Sequence, residues 1–140
     1  MGPETYLLYL NLGGSYRRSS QLPQALQSYR KGLELAEAEL VKNPKDGYVN
    51  ACLAYLCARM GQRQRAAVEA ARALGMSSGA QNVRWMAALT YETLGQRERT
   101  LTLIQDAPED LLRRLNGFQD LADLQKDSRF RELLASRNIK

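Results

Sequence analysis

A short stretch of sequence that occurs twice constrains the fold more than any other feature of the chain. Residues 61–66 read GQRQRA and residues 95–100 read GQRERT, so four of six positions are identical at an offset of 34 residues. A third copy lies upstream at an offset of 41, with Ser20 in the place of the glycine. The seven additional residues equal about two helical turns, which lengthen a helix without rotating its faces much. The chain therefore reads as three copies of one unit.

Each copy has the pattern of two helices joined by a short turn. Apolar residues recur at spacings of three and four, as in Tyr9, Leu12 and Tyr16, and no useful stretch alternates with a period of two. Pro44 and Pro108 follow the second helices of their copies, where a helix must stop. The predicted helix pairs are 4–18 with 22–42, 46–60 with 63–74, and 79–94 with 97–106.

A unit of this length and pattern resembles the tetratricopeptide repeat. Its motif combines an aromatic residue, a Leu-Gly or Leu-Ala pair and a Tyr in the first helix with a Gly at the turn and small residues in the second. The matching residues are Tyr9, Leu12, Gly13, Tyr16, Ala25 and Tyr29, then Leu53, Ala54, Gly61, Ala66, Ala70 and Ala73, then Ala88, Tyr91, Gly95 and Ala107. Cys57, Arg84 and Thr100 depart from the motif.

The resemblance implies an all-α fold, a right-handed α-α superhelix of three helix hairpins with a C-terminal capping helical segment. We expect a single domain over 1–140, with repeats at about 5–44, 46–78 and 79–108 and the cap at 109–137. In the cap, Asp127 or Ser128 is the expected N-cap, and Phe130, Leu133 and Leu134 form the expected buried stripe.

The tail from Leu121 to Leu134 resembles the closing segment of many bacterial multidomain regulators. In those proteins a tetratricopeptide region follows a eukaryotic-like Ser/Thr kinase or a winged-helix domain. Residues 1–4 pass almost directly into helical sequence without a leader pattern, which indicates a domain taken from a longer protein, or a cloning remnant, as much as a natural N-terminus. The predicted role is a scaffold or sensory part of such a regulator, and a cytoplasmic location is favoured.

The resemblance also implies a concave groove lined by the first helices, which binds a peptide or a partner protein. The predicted lining is apolar, and we expect Trp85 to be an exposed anchor beside Tyr48 and Tyr55. Alternatively, the domain is a structural or oligomerisation spacer, possible as a homodimer, whose groove is covered by its own tail or by self-association. The expected groove residues are Leu7, Leu10, Asn11, Tyr48, Cys52, Tyr55, Asn82, Trp85, Met86 and Leu89.

Arginines stand beside the turn within each repeat, and stacking of the repeats would align them along one basic rim. Such a rim could attract acidic or phosphorylated segments, or could be a solvated surface with local ion pairs. The net charge is only +5 and the charges are mixed in sign, which argues against nucleic acid as a partner. The rim residues are Arg17, Arg18, Arg63, Arg65, Arg97 and Arg99.

The composition gives little support to catalysis. The chain has no histidine, no glycine-rich phosphate loop and no Cys-x-x-Cys pair, so we predict no enzyme, no cofactor and no metal. Asp120, Asp123 and Asp127 have helical spacing, but they are expected to be a solvated face with an N-cap. Cys52 and Cys57 are expected to be reduced residues of the core or groove. No apolar run is long enough for membrane insertion.

Overall fold

The structure, a computed structural model, describes residue 2, residues 4–77 and residues 79–140, and these residues form helices and no strands. This confirms the all-helical prediction. The expected start at Met1 and the expected end of the second repeat at Ser78 lie outside the described residues. The first six helices are α1 (Thr5–Arg18), α2 (Leu22–Lys42), α3 (Gly47–Arg59), α4 (Arg63–Ser77), α5 (Gln81–Thr93) and α6 (Arg97–Ile104). Each predicted helix end lies within three residues of its observed position.

The first helix of each pair ends in the same backbone motif. Ser20, Gly61 and Gly95 have φ angles of 61°, 78° and 74°, which is the left-handed region. The next residue then donates its N–H to the carbonyl five positions earlier, as in the Schellman motif. These bonds measure 2.8 or 2.9 Å and join Gln21 to Tyr16, Gln62 to Cys57 and Gln96 to Tyr91. The offsets of 41 and 34 found in the sequence therefore recur in the backbone.

Small residues allow the two helices of a pair to approach closely. A Cβ atom added to Gly13 would lie 2.5 Å from the ring of Tyr29 on α2, so a larger residue would force the helices apart. Ala54 on α3 and Ala88 on α5 occupy the corresponding register and are fully buried. The predicted close crossings thus coincide with buried small side chains.

Two polar residues that depart from the apolar pattern connect the helices of a pair. Asn50 on α3 donates from Nδ2 to the carbonyl oxygen of Glu69 at 3.1 Å and to its Oε2 at 2.7 Å. Arg84, 34 residues further along, donates to the carbonyl oxygen of Leu103 at 2.6 Å. Both acceptors lie 19 residues after their donors. A buried donor that is satisfied in this way stabilises the pair without an orphaned polar group, which explains why Arg84 replaces an apolar residue.

The helix pairs also pack on one another. Helix α2 contacts α3, and α3 and α4 both contact α5. As a result α3 is the central helix, and eleven of its thirteen residues are buried. None of the helices in the described part of the chain is both long enough and apolar enough to cross a membrane.

The C-terminal segment forms a compact cap of short helices. These are α7 (Glu109–Gly117), a 3-10 helix (Gln119–Leu121), α8 (Ala122–Lys126) and α9 (Ser128–Ser136). Asp127 is the N-cap of α9, because its side chain accepts from the N–H of Arg129 at 2.9 Å. Phe130 and Leu134 are buried and Leu133 is half-buried, so the predicted stripe is confirmed.

The bend between α7 and α8 is fixed by a single side chain. Gln125 donates from Nε2 to the carbonyl oxygens of Leu115 at 3.0 Å and Phe118 at 2.8 Å. Phe118 itself has extended backbone geometry, with φ −85° and ψ 124°. Residues 118–121 then lie against α1 and α5, where Asp120 contacts Arg17 and Phe118 contacts Trp85.

Candidate functional site

The first helices α1, α3 and α5, together with the C-terminal segment, enclose a cavity of about 280 Å³. Eight of the ten predicted groove residues line it: Leu7, Leu10, Asn11, Tyr48, Tyr55, Trp85, Met86 and Leu89. The repeat register thus brings together side chains separated by more than 80 positions of sequence, as between Leu7 and Leu89. Their role in binding remains a prediction.

Trp85 is not the exposed anchor expected from the sequence. Only 6% of it is exposed, because two residues of the C-terminal segment cover its ring. The ring of Phe118 meets it edge-on with centroids 5.2 Å apart, and the guanidinium of Arg114 lies 4.0 Å from its centroid. Both arrangements are favourable contacts for an indole ring. At this position the groove is therefore covered by the chain's own tail, as in the alternative interpretation.

Two other predicted groove residues do not line the cavity. Cys52 is fully buried inside the core, one turn from Tyr48 on α3, so it supports the wall rather than forming it. Asn82 lies in the first turn of α5 and is exposed outside the cavity. Both predictions rest on residue spacing alone, and spacing does not specify the angle at which each helix packs on its neighbours.

The tail contributes three cavity residues that the sequence analysis did not assign to the groove: Arg114, Phe118 and Asp120. The available signals were weak. Phe118 is one of only two phenylalanines in the chain, and the tail was considered as a possible cover for the groove. Nothing in the local pattern indicates that residues 118–121 turn back toward α1, because that path depends on the hydrogen bonds of Gln125.

Asp120 forms the strongest polar contact between the tail and the groove. Its Oδ2 accepts from Arg17 at 2.7 Å and from Arg18 at 3.0 Å, and its side chain is 8% exposed. Arg17 also donates from Nε to the hydroxyl of Tyr29 at 3.2 Å. Burial alone would lower the pKa of Arg17, but the hydrogen bonds to Tyr29 and Asp120 outweigh it and raise that pKa. One carboxylate shared by two cations is a charge-assisted contact of the stronger kind.

A second cavity of about 360 Å³ lies on the other side of Asp120. Its lining includes Arg17, Arg97, Leu121 and Asp123. Leu89 and Asp120 line both cavities, so they lie between them. The tail segment that contains Asp120 therefore divides one groove into two parts.

The predicted basic rim is largely neutralised by the chain's own carboxylates. Arg17 and Arg18 pair with Asp120, and Arg65 pairs with Glu37 at 3.1 Å. Arg97 pairs with Glu92 at 2.7 Å and with Asp127 at 3.0 Å. Local ion pairs were the second interpretation of this rim, and these contacts agree with it.

The remaining two rim residues take different positions. Arg63 donates to the carbonyl oxygen of Leu94 at 2.5 Å and so connects α4 to the end of α5. Arg99 lines a separate depression between α4 and α6, together with Tyr91 and Leu103. The six arginines are therefore divided among several local contacts.

Burial keeps the Tyr48 hydroxyl of the cavity wall and the Cys52 thiol behind it protonated, because it raises the pKa of both. Burial raises the pKa of the Cys52 thiol to about 12, partly offset by a hydrogen bond with Tyr48. Burial also raises the pKa of Tyr48, with a further contribution from Cys52. Both cysteines are buried and free, in agreement with the sequence. Within the described residues no three His, Cys, Asp or Glu side chains are grouped to hold a metal ion.

The comparisons with known proteins return no relative of this chain: no protein-family model matches it, and no significant match occurs among curated proteins or solved structures.

Proposed function

We propose that this chain is a protein-interaction module of the tetratricopeptide type, which binds a peptide segment of a partner protein in the groove between α1, α3 and α5. The single observation that carries the proposal is the first cavity, whose walls come from the first helix of each of the three pairs, α1, α3 and α5. Its lining combines the aliphatic side chains of Leu7 and Leu10 with the polar groups of Asn11 and Tyr48. Concave sites that combine apolar side chains with convergent polar groups are typical of ligand binding.

The repeat geometry supports the finer part of the proposal. A right-handed superhelix of three hairpins requires equivalent turns, and the left-handed residues Ser20, Gly61 and Gly95 are such turns. The proposed context is a scaffold or sensory part of a larger bacterial regulator, which follows from the resemblance of the tail.

A selection from a library of random displayed peptides, with the full chain as bait, tests the proposal. Two neighbouring leucines of α1 provide a matched pair of variants. Leu7 lines the cavity, whereas Leu8 is 61% exposed and is not among its lining residues. Leu7→Asp should weaken binding of the selected peptides more than about tenfold, as loss of an interface anchor does. Leu8→Asp introduces the same charge on the same helix and should leave binding unchanged.

Two outcomes would overturn the proposal. One is a selection that yields no peptide above background. The other is a set of peptides whose affinity depends on Leu8 and not on Leu7, which would place binding on the outer face of α1. Circular dichroism of both variants checks that each retains its helices.

A second candidate, the oligomerisation spacer, is favoured by a different observation. Leu8 and Leu12 are 61% and 38% exposed on one face of α1, and Leu22 and Leu26 are 57% and 45% exposed on one face of α2. Apolar side chains grouped in this way on the first hairpin are typical of contact surfaces. Sedimentation over a range of concentrations tests this candidate. Self-association that Leu8→Asp abolishes supports it, and a monomer at all concentrations excludes it.

A further inference from the structure

The tail segment Phe118–Leu121 lies in the groove in the way a bound peptide would. Phe118 covers the ring of Trp85, and two residues later Asp120 contacts both arginines at the end of α1. Leu121 is 3% exposed and lines the second cavity beside Leu89. An aromatic ring, a carboxylate and an apolar side chain thus each meet a matching part of the groove.

The groove residues that meet this segment have complementary chemistry. The indole of Trp85 offers an aromatic face, and Arg17 and Arg18 offer two guanidinium groups to one carboxylate. The tail makes further contacts outside this segment, since Arg114 of α7 stacks on the Trp85 ring and Asp127 pairs with Arg97. Helices α7 and α9 are in addition anchored by buried leucines and by Phe130. The segment 118–121 is short and connects α7 to α8. Its release from the groove requires loss of the burial of Leu121 and of the Gln125–Phe118 hydrogen bond, but not of the buried leucines of α7 and α9.

Resting on the function proposed above, we propose that the partner is an acidic peptide of the form aromatic-x-Asp-Leu, or its glutamate equivalent, and that residues 118–121 occupy its place when no partner is bound. Partner binding is then a replacement of one segment by another of the same chemistry. The free chain presents a neutralised groove, because Asp120 already occupies Arg17 and Arg18. The affinity for a partner is reduced by the fraction of molecules in which the tail is seated.

A synthetic peptide with the sequence of residues 116–123, NGFQDLAD, is a direct probe of this site. Its binding to the full chain is measured by fluorescence anisotropy. Asp120→Asn in the protein removes the internal carboxylate and should raise the affinity for the probe about tenfold, the usual effect of one charge-assisted contact. Asp110→Asn is the matched control, because Asp110 is exposed on α7 and lines neither groove cavity.

Changes in the probe test the chemistry independently of the tail. A probe with Asn in place of its first Asp should lose the tenfold gain, and a probe with Ala in place of Phe should bind more weakly to both proteins. Arg18→Gln should reduce the preference for the acidic probe, because only Arg17 then meets the carboxylate, without altering the helices, since Arg18 is exposed. The acidic probe should also bind more weakly as salt rises.

Two results would overturn the inference. Equal affinity of the probe for the wild-type chain and for Asp120→Asn would mean that the tail does not compete. Equal affinity of the acid and amide probes would mean that the arginines do not recognise a carboxylate. In either case, peptides selected from the random library that require Leu7 but carry no acid would leave the proposed function intact and remove only this refinement.

Discussion

Helices α1 and α3 occupy the same register in successive pairs, yet their outer apolar residues differ in burial. Leu8 and Leu12 on α1 are 61% and 38% exposed, whereas Val49 and Leu53 on α3 are 3% and 2% exposed. Helix α2 packs on α3, and Leu8 has no such cover in the described part of the chain. At this register the neighbouring pair, rather than the hydrophobicity of the residue, decides whether a side chain is buried.

The largest test of the comparison is truncation of the equivalent leucines. Leu53→Ala should lower the free energy of unfolding by about 2–5 kcal/mol, because it leaves a cavity in the core. Leu12→Ala should lower the free energy of unfolding by less, about 1–2 kcal/mol, because 38% of Leu12 is already exposed to water. Urea denaturation of both variants measures the difference. Equal losses would show that the outer face of α1 is covered in solution.

A second test compares two helical glycines. Gly13→Ala should lower the free energy of unfolding by about 1–3 kcal/mol, because the new methyl group would meet the Tyr29 ring. At Gly75 on α4 an added Cβ meets nothing within 4 Å. Gly75→Ala should therefore raise the free energy of unfolding by about 0.5–1 kcal/mol. Thermal melts of the two variants should shift in opposite directions. A shift of the same sign would contradict the close contact of α1 with α2.

The turns after α1 and α3 give a third comparison, since both place a residue in the left-handed region. Gly61→Ala should cost about 1–2 kcal/mol, because a Cβ disfavours φ of 78°. Ser20→Gly should stabilise the chain by up to about 1 kcal/mol, because Ser20 already bears that penalty at φ 61°. Chemical denaturation separates the two effects. A destabilising Ser20→Gly would mean that the serine hydroxyl makes a contact that outweighs the backbone strain.

The smallest expected effect is a loss of stability in alkali that originates on α3. Burial raises the pKa of Cys52 in the folded chain to about 12, from an ordinary value of about 9. A raised pKa stabilises the fold fully below the unfolded value, so this contribution declines as pH rises from about 9 to about 12. Measurements between pH 8 and pH 10 sample only the beginning of this decline, so the loss of stability there is the smallest of these effects.

Denaturation series at pH 8 and pH 10 check this prediction in the wild type and in Cys52→Ala. The variant should lose less stability between the two pH values than the wild type does. The same loss in both proteins would assign the alkaline effect to other groups, of which Tyr6 and Tyr48 also have raised pKa values through burial.

The sequence predicted the elements better than it predicted the site. Helix ends followed from proline, glycine and the spacing of apolar residues, because these are local properties of the chain. The groove residues of α1, α3 and α5 could be predicted from the spacing of the repeats, and eight of the ten predicted residues line one cavity. The burial of Trp85 could not be predicted, because it depends on Phe118 and Arg114 of the tail, whose position beside α5 is a tertiary contact with no local signal in the sequence.

The contact between Arg17 and Asp120 has a consequence for how the chain folds and frays. A stack of helix pairs in which each contacts only its neighbours loses structure from its ends. Here one ion pair joins residues 103 positions apart, from the first helix to the last third of the chain. Closing so long a loop makes this contact a late step in folding, after the local pairs have formed. We therefore expect the amides at the end of α1 and those around residues 118–121 to lose their protection from exchange together, when this ion pair opens.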